Sequence, residues 1–211
     1  LAASDFTTPL TLFALDLNVM ELTVMRRQPQ QFVSDDIEVR QFWAVSSDGE
    51  RIPYFHVGKN AAPDTPTLVY AYGGFGVPEL PHYLGSIGKY WLEEGNAFVL
   101  ANIRGGGEFG PRWHQAAQGI SKHKSVDDLL AVVRDLSERG MSSPRHIGLQ
   151  GGSNGGLITA AAFVREPQSI GALVCEVPLT DMIRYPLLSA GASWTDEYGN
   201  PQKYEVCKRW L

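Results

Sequence analysis

One glycine-rich stretch constrains the fold of this chain more than any other. Residues 151–156 read GGSNGG and contain the pattern G-x-S-x-G, with Ser153 at its centre. The apolar run 146–150 before it predicts a β-strand, and the small-residue run 157–162 after it predicts a helix. Glycines in such a turn let backbone segments approach without a Cβ clash. A strand, a tight turn and a helix in this order predict a nucleophile elbow, which holds a serine hydroxyl exposed above a sheet.

The segments around the elbow alternate between strand and helix patterns. Apolar strands are predicted at 67–72, 97–103 and 172–177, besides 146–150, and helices at 83–94 and 126–139. Strands that are apolar along their whole length are typical of a mostly parallel sheet covered on both faces. Glycine clusters follow several of these strands, which places the chemistry at the carboxyl edge of the sheet. The fold class is therefore α/β.

The N-terminal part has a different pattern. Segments 11–15 and 21–25 predict one β-hairpin, and 39–45 with 51–57 predict a second around an Asp-Gly turn. The polar run 26–31 resembles a linker. We expect residues 1–33 to form a hairpin and linker, and 34–211 to form the main domain.

The helix 126–139 carries the clearest apolar stripe in the chain. Ser125 with Asp128 predicts a capping-box start, and Gly140 predicts its end. Asp128 is expected to be exposed to solvent at the helix N-terminus, where the helix dipole favours a negative charge. Arg104 and Glu108 are expected to anchor the glycine-rich loop that they occupy.

Composition excludes several classes of function. The net charge of −5 and the lack of a long Lys/Arg run argue against nucleic acid or a membrane as partner. No apolar segment approaches the ~20 residues that span a bilayer. Two cysteines in 211 residues do not form a disulfide framework and favour a reducing, cytoplasmic location, with the periplasm left open. No cofactor or metal is expected.

Acyl transfer by a serine also needs a base, an orienting acid and an oxyanion hole. The backbone N–H of Asn154, the residue after the nucleophile, is the expected first donor to the oxyanion. The second donor is expected from a loop after an earlier strand, and residues 71–75 are the best candidate.

Four motifs in order carry a family resemblance: YGGF at 72–75, ANIRGGGEFG at 101–110, WH at 113–114 and GGSNGG at 151–156. Over roughly residues 36 to 211, the chain resembles the catalytic domain of the prolyl oligopeptidase family of serine peptidases. The resemblance implies an α/β-hydrolase fold. It also implies that the N-terminal hairpin is similar to the last blade of a β-propeller.

The resemblance implies a role for several residues. Ser153 would be the nucleophile, and the hydroxyl of Tyr72 would join the Asn154 amide in the oxyanion hole. Flat aromatic walls suit the pyrrolidine ring of a proline substrate. The positions that match the family's proline-accepting pocket are Phe75, Leu179, Trp194 and Tyr198. Ordinary core packing is the alternative role for these four, and loop packing is the expected role of His114.

The expected base is missing from this sequence. In α/β-hydrolases the order is serine, acid, histidine, yet all five histidines precede Ser153: His56, His82, His114, His123 and His146. We expect the acid and the histidine beyond Leu211, after an amphipathic helix that starts within 201–211, and a sheet incomplete at its C-terminal end. The chain would then be a piece of a longer protein. Its expected partner is the rest of that protein, and the chain would be inactive alone.

Three functions remain open. The first is a serine peptidase that cuts short peptides after proline. The second is a related hydrolase of another specificity: a basic-residue oligopeptidase, an acylaminoacyl peptidase or an esterase. Three carboxylates near the pocket could serve a basic side chain: Glu176, Asp181 and Glu197. The third is a non-catalytic binding module with a hydrolase fold.

Overall fold

Two β-sheets are formed by the part of the chain that the structure describes. The computed structural model describes residues 1–59 and 61–203. The smaller sheet is antiparallel, with the order β1-β2-β3. Its strands are β1 (Ala2–Ala3), β2 (Thr11–Asp16) and β3 (Glu21–Arg27). The larger sheet comprises β4 (Glu38–Val45), β5 (Arg51–Gly58), β6 (Thr67–Ala71), β7 (Ala97–Ala101), β8 (Ile147–Gly152) and β9 (Ala172–Glu176).

Helices connect the later strands of the larger sheet and follow its last strand. They are α1 (Gly85–Ile87), α2 (Pro111–Gln115), α3 (His123–Glu138), α4 (Asn154–Arg165) and α5 (Thr195–Tyr198). A π-helical turn, Gly88–Leu92, continues α1. Short 3₁₀ turns occur at Gly119–Ser121, Pro144–His146, Pro167–Ser169, Tyr185–Leu187 and Gly191–Trp194.

The strand order of the larger sheet is β4-β5-β7-β6-β8-β9. The β4–β5 hairpin is joined antiparallel to β7, and the remaining neighbours pair in parallel. This mixed, mostly parallel sheet with helical crossovers confirms the predicted α/β class. Parallel strands put their carboxyl ends at one edge, so the loops after β6, β7 and β8 lie together.

Alternate residues of the central strands enter different apolar clusters. In β7, Val99 and Ala101 pack with the buried faces of α3 and α4. Phe98 and Leu100 pack instead with Phe6 and with residues of the helical segment after β6. The central strands are therefore covered on both faces, as their continuous apolar runs predict. The terminal strand β9 is more open, and Val174 is 46% exposed.

The N-terminal hairpin is present, and the segments flanking it contact the larger sheet. Phe6 and Phe32 are buried in its second apolar cluster. The backbone N–H of Gln31 donates to the hydroxyl of Tyr83 at 2.6 Å. The proposed domain boundary after residue 33 stays a prediction. Phe6 and Phe32, which precede that boundary, pack against the larger sheet, which follows it.

The predicted start of α3 is wrong. The helix begins at His123 rather than Val126, and no side chain caps it. Ser125 and Asp128 lie inside its first two turns and bond to the glycine-rich loop after β7 instead. Asp128 is fully buried, not solvated. The predicted end is confirmed, since Gly140 follows the helix in the left-handed conformation at φ 67°.

Some expectations fall outside the structure. The predicted helix within 201–211, which includes Cys207, lies mostly outside the described residues. Within residues 1–59 and 61–203, no helix is long and apolar enough to cross a bilayer.

Candidate active site

Ser153 occupies the turn between β8 and α4, in the strand–turn–helix arrangement that the sequence predicts. Its backbone has φ 53° and ψ −115°, a conformation that a non-glycine residue adopts only at a cost in strain. A Cβ added at Gly151 would overlap the carbonyl of Gly155, and one at Gly155 would overlap the carbonyl of Ala71. The glycines therefore let the start of α4 lie directly against β6 and β8, with the partly exposed serine at the carboxyl edge.

The two residues predicted to stabilise an oxyanion are joined to each other. Tyr72 follows β6 directly, and Asn154 is the first residue of α4. The side-chain Nδ2 of Asn154 donates to the carbonyl oxygen of Tyr72 at 2.5 Å. Gly74 is required beside this contact, because a Cβ there would overlap the Asn154 amide. As the first helical residue, Asn154 has a backbone N–H without a carbonyl partner inside the helix.

The environment of Tyr72 favours a protonated hydroxyl. Partial burial, followed by the negative charges of Glu197 and Glu79, raises the pKa of Tyr72 above its ordinary value. A phenol that keeps its proton in the neutral range can donate a hydrogen bond to a developing negative charge.

The four predicted pocket residues form one group. Tyr198 is fully buried and donates its hydroxyl to Asn154 Oδ1 at 3.0 Å. Phe75 lies edge-on to its ring, with centroids 5.7 Å apart, and is 36% exposed. Leu179 and Trp194 pack, partly buried, against the cluster that contains Tyr198. Tyr198 thus forms the buried base of the group, and Phe75 forms its open side.

A buried charge cluster lies beneath the loop that carries Tyr72. Lys122 is 2% exposed, and its Nζ donates to Glu197 Oε1 at 2.6 Å and to the Gly73 carbonyl at 2.9 Å. Glu197 Oε2 contacts His114 Nε2 at 2.7 Å. Burial alone would raise the pKa of Glu197, but Lys122, His114 and the Phe75 backbone N–H outweigh it and lower that pKa. The carboxylate is therefore ionised, and it opposes the lowering of the Lys122 pKa that burial causes.

Sequence reasoning missed the role of Lys122 altogether. It treated Glu197 as a candidate for binding a basic substrate and His114 as a loop-packing residue. The other two carboxylates considered with Glu197 lie elsewhere. Glu176 is exposed on β9 and accepts from Gln150, and Asp181 forms an ion pair with Arg184.

The glycine-rich loop after β7 is anchored as predicted. Arg104 is buried and forms ion pairs with Asp48 at 2.7 Å and with Asp128 at 2.6 Å. The side chain of Glu108 accepts from the backbone N–H of Glu79 at 2.9 Å. These contacts fix a loop whose glycines offer no side chains of their own, beside the loop that carries Tyr72.

A base for Ser153 is absent from the described residues. Within residues 1–59 and 61–203, none of the five histidines forms a hydrogen bond to Ser153. Four of them bond to other groups: His82 to Leu80, His114 to Glu197, His123 to Ile120 and His146 to Ser143. His56 is buried in β5. The same part of the chain holds no cluster of three or more potential metal ligands.

Comparison with known proteins agrees with the geometry. The family model described as "Prolyl oligopeptidase family" matches residues 84–210. An uncharacterized peptidase of Sinorhizobium fredii, y4nA, is 43% identical over 202 residues, covering 94% of this chain and 28% of the relative. A prolyl endopeptidase of Elizabethkingia meningoseptica is 31% identical over the same length, again 94% of this chain and 28% of the relative.

Solved structures show the same similarity. A post-proline cleaving enzyme from Rickettsia typhi superposes with a TM-score of 0.93 at 39% identity, covering 99% of this chain and 30% of that enzyme. The chain thus spans less than a third of the length of each of these relatives. The chain belongs to the prolyl oligopeptidase family of serine peptidases.

Proposed function

We propose that this chain is part of the catalytic domain of a serine oligopeptidase that cleaves short peptides after proline. The observation that carries the proposal is the position of Ser153, on a strained turn beside the hydrogen-bonded pair Tyr72 and Asn154. A nucleophile and two potential oxyanion donors at one sheet edge are the arrangement that acyl transfer requires.

In the proposed reaction, Ser153 Oγ attacks the scissile carbonyl and forms an ester to the substrate. The backbone N–H of Asn154 and the hydroxyl of Tyr72 donate to the oxyanion that develops. The serine proton passes to a histidine in the remainder of the longer protein, which returns it to the leaving amine. Water then hydrolyses the ester and restores the serine. This chain supplies the nucleophile and the oxyanion donors, and the base lies outside it.

Two observations support proline as the preferred residue before the cut. Two relatives are named as a prolyl endopeptidase and a post-proline cleaving enzyme. The exposed ring of Phe75, backed by the buried Tyr198, offers a flat apolar wall. A basic-residue pocket has less support, because the charge of Glu197 is already matched by Lys122.

The test uses the full-length protein with chromogenic peptides that carry proline or arginine before the cut. We expect faster hydrolysis after proline and at least a ~10³-fold loss of rate in Ser153→Ala. Ser137→Ala, near the C-terminal end of α3, should keep the rate. Full activity of Ser153→Ala would show that the nucleophile is assigned wrongly, and a preference for arginine would favour the alternative specificity.

The isolated 211-residue chain is proposed to be inactive, because no histidine in its described part contacts Ser153. A fluorophosphonate probe reports an activated serine directly. We expect labelling of the full-length protein and not of the isolated chain. Stoichiometric labelling of the isolated chain would contradict this view, and no labelling of either would favour a non-catalytic binding module.

A further inference from the structure

Lys122 is the least expected buried group near the candidate site. It lies just before α3, 2% exposed, and both of its described hydrogen bonds point toward the Tyr72 loop and its neighbour α5. One goes to the carbonyl oxygen of Gly73, the residue that follows Tyr72. The other goes to Glu197, and the Tyr198 ring lies 5.6 Å from the ammonium group.

Glu197 holds the same loop at a second point. The backbone N–H of Phe75, two residues beyond Gly73, lies near its carboxylate and helps to lower its pKa, and His114 contacts the same carboxylate. Lys122 therefore binds one carbonyl of the segment 72–75, and Glu197 lies against the N–H of Phe75 in the same segment. The polar groups of a short glycine-containing loop are thereby fixed by side chains from two other elements.

The pair also connects with Asn154. Glu197 is followed in α5 by Tyr198, whose hydroxyl donates to the Asn154 side chain. That side chain in turn donates to the Tyr72 carbonyl. The contacts form a closed circuit through α5, the start of α4 and the Tyr72 loop, so both candidate oxyanion donors are held by one network.

Stability alone does not explain this arrangement. A buried ion pair has a large desolvation cost, and apolar residues of similar volume in its place are often neutral or stabilising. A catalytic arrangement, by contrast, must be held to within about 0.5 Å by surrounding contacts. Lys122 forms a further hydrogen bond to this loop and Glu197 lies against the Phe75 N–H, as a positioning role requires.

We infer that Lys122 and Glu197 are positioning residues that hold the Tyr72 loop in the geometry needed for oxyanion stabilisation. The inference rests on the proposed function, since it assigns Tyr72 and Asn154 to the oxyanion hole. It predicts that the pair acts on kcat rather than on substrate binding. A misplaced donor weakens the transition state, whereas the peptide pocket on Phe75 stays available.

The test is a double-mutant cycle in the full-length protein: Lys122→Met, Glu197→Gln and the two combined. Each single variant leaves a buried charge unpaired, so loss of stability and loss of activity are expected together. The double variant has no unpaired charge and should regain most of the unfolding free energy. It still lacks the ammonium donor to the Gly73 carbonyl, which keeps only the longer contact of 3.4 Å with Ser125 Oγ. Its kcat should stay about 10–100-fold below wild type, with KM changed less than about threefold.

Matched controls separate this inference from the proposed function. Lys89→Met removes an exposed lysine from an ion pair with Glu93 and should leave kcat unchanged. If the double variant recovers wild-type kcat, the pair only neutralises charge and the inference is wrong. An active Ser153→Ala would overturn the proposed function instead. An inactive Ser153→Ala beside a fully active Lys122→Met would overturn the inference alone.

Discussion

At the scale of single residues, the hydroxyl of Tyr72 is the clearest catalytic prediction. Tyr72→Phe removes one oxyanion donor and keeps the ring. We expect kcat for a proline peptide to fall roughly 10²–10³-fold, since that is the usual loss for one such donor. The melting temperature should change little. Steady-state kinetics and thermal unfolding of the full-length protein measure the two effects.

Tyr70→Phe is the matched control for this prediction. Tyr70 lies two residues earlier, in β6, and is also partly buried, but it packs in the apolar cluster on the sheet rather than beside Asn154. We expect its kcat to remain within about twofold of wild type, because no oxyanion donor is lost. Equal losses in both variants would show that the Tyr72 hydroxyl has no special role.

Site residues differ in how far the sequence reveals them. The role of Ser153 could be predicted because its motif is local, with glycines at fixed spacing between a strand and a helix. Lys122 and Glu197 are 75 residues apart, and no spacing rule links them. The burial of Lys122 depends on the final position of α5, which carries its partner. Tertiary packing decided that contact, so the sequence could not predict it.

At the scale of elements, close packing of α4 on β6 depends on Gly155. A Cβ there would overlap the carbonyl of Ala71, a backbone atom that cannot rotate away. We expect Gly155→Ala to lower the free energy of unfolding by about 1–3 kcal/mol, as overpacking does, and to slow fluorophosphonate labelling of Ser153. Denaturant unfolding and labelling rates measure this.

Gly152 provides the contrast within the same motif. A Cβ at this position would meet no atom closer than 3.8 Å, an ordinary contact distance. Gly152→Ala should therefore change the free energy of unfolding by less than about 1 kcal/mol. If both substitutions had equal effects on stability, close approach of α4 to β6 would not explain the glycine pattern.

The start of α3 shows an element whose side chains serve its neighbours. Asp128 accepts hydrogen bonds from Arg104 and from Ser46, which joins α3 to the loop after β7 and to the β4–β5 turn. Asp128→Ala should lower the free energy of unfolding by about 3–5 kcal/mol, because it leaves Arg104 buried without that partner.

The neighbouring aspartate tests the same idea. Asp127 pairs with Arg165 at a partly exposed position, so Asp127→Ala should lower the free energy of unfolding by no more than about 1 kcal/mol. Chemical denaturation of both variants gives the comparison. A larger loss of unfolding free energy in Asp127→Ala than in Asp128→Ala would mean that a solvated charge at the helix N-terminus matters more than the buried contacts of Asp128.

At the scale of the whole molecule, periodicity predicted most strands and the mostly parallel sheet, because continuous apolar runs require burial on both faces. It did not predict what covers the second face. Phe6 and Phe32 come from segments that flank a separate hairpin, and their burial depends on how that hairpin meets the sheet. Local patterns define elements well, and contacts between distant segments remain outside their reach.

His56 links the stability of the molecule to pH. It is 4% exposed in β5, and its Nε2 has no hydrogen-bond partner in the described residues. Burial, followed by the charge of Arg40, lowers the pKa of His56 from 6.5 to about 4. His56 is therefore protonated below about pH 6.5 in the unfolded chain, but only below about pH 4 in the folded chain. Stability should fall as the pH falls through that window.

His56→Leu removes this proton uptake and keeps an apolar group in β5. Between pH 6.5 and 5, wild type should lose about 1.5 kcal/mol more unfolding free energy than the variant. Urea unfolding of the full-length protein at both pH values measures the difference, with exposed His82→Leu as the control that keeps the wild-type dependence. Identical pH dependence in wild type and His56→Leu would mean that His56 accepts its proton in the folded protein as readily as in the unfolded one.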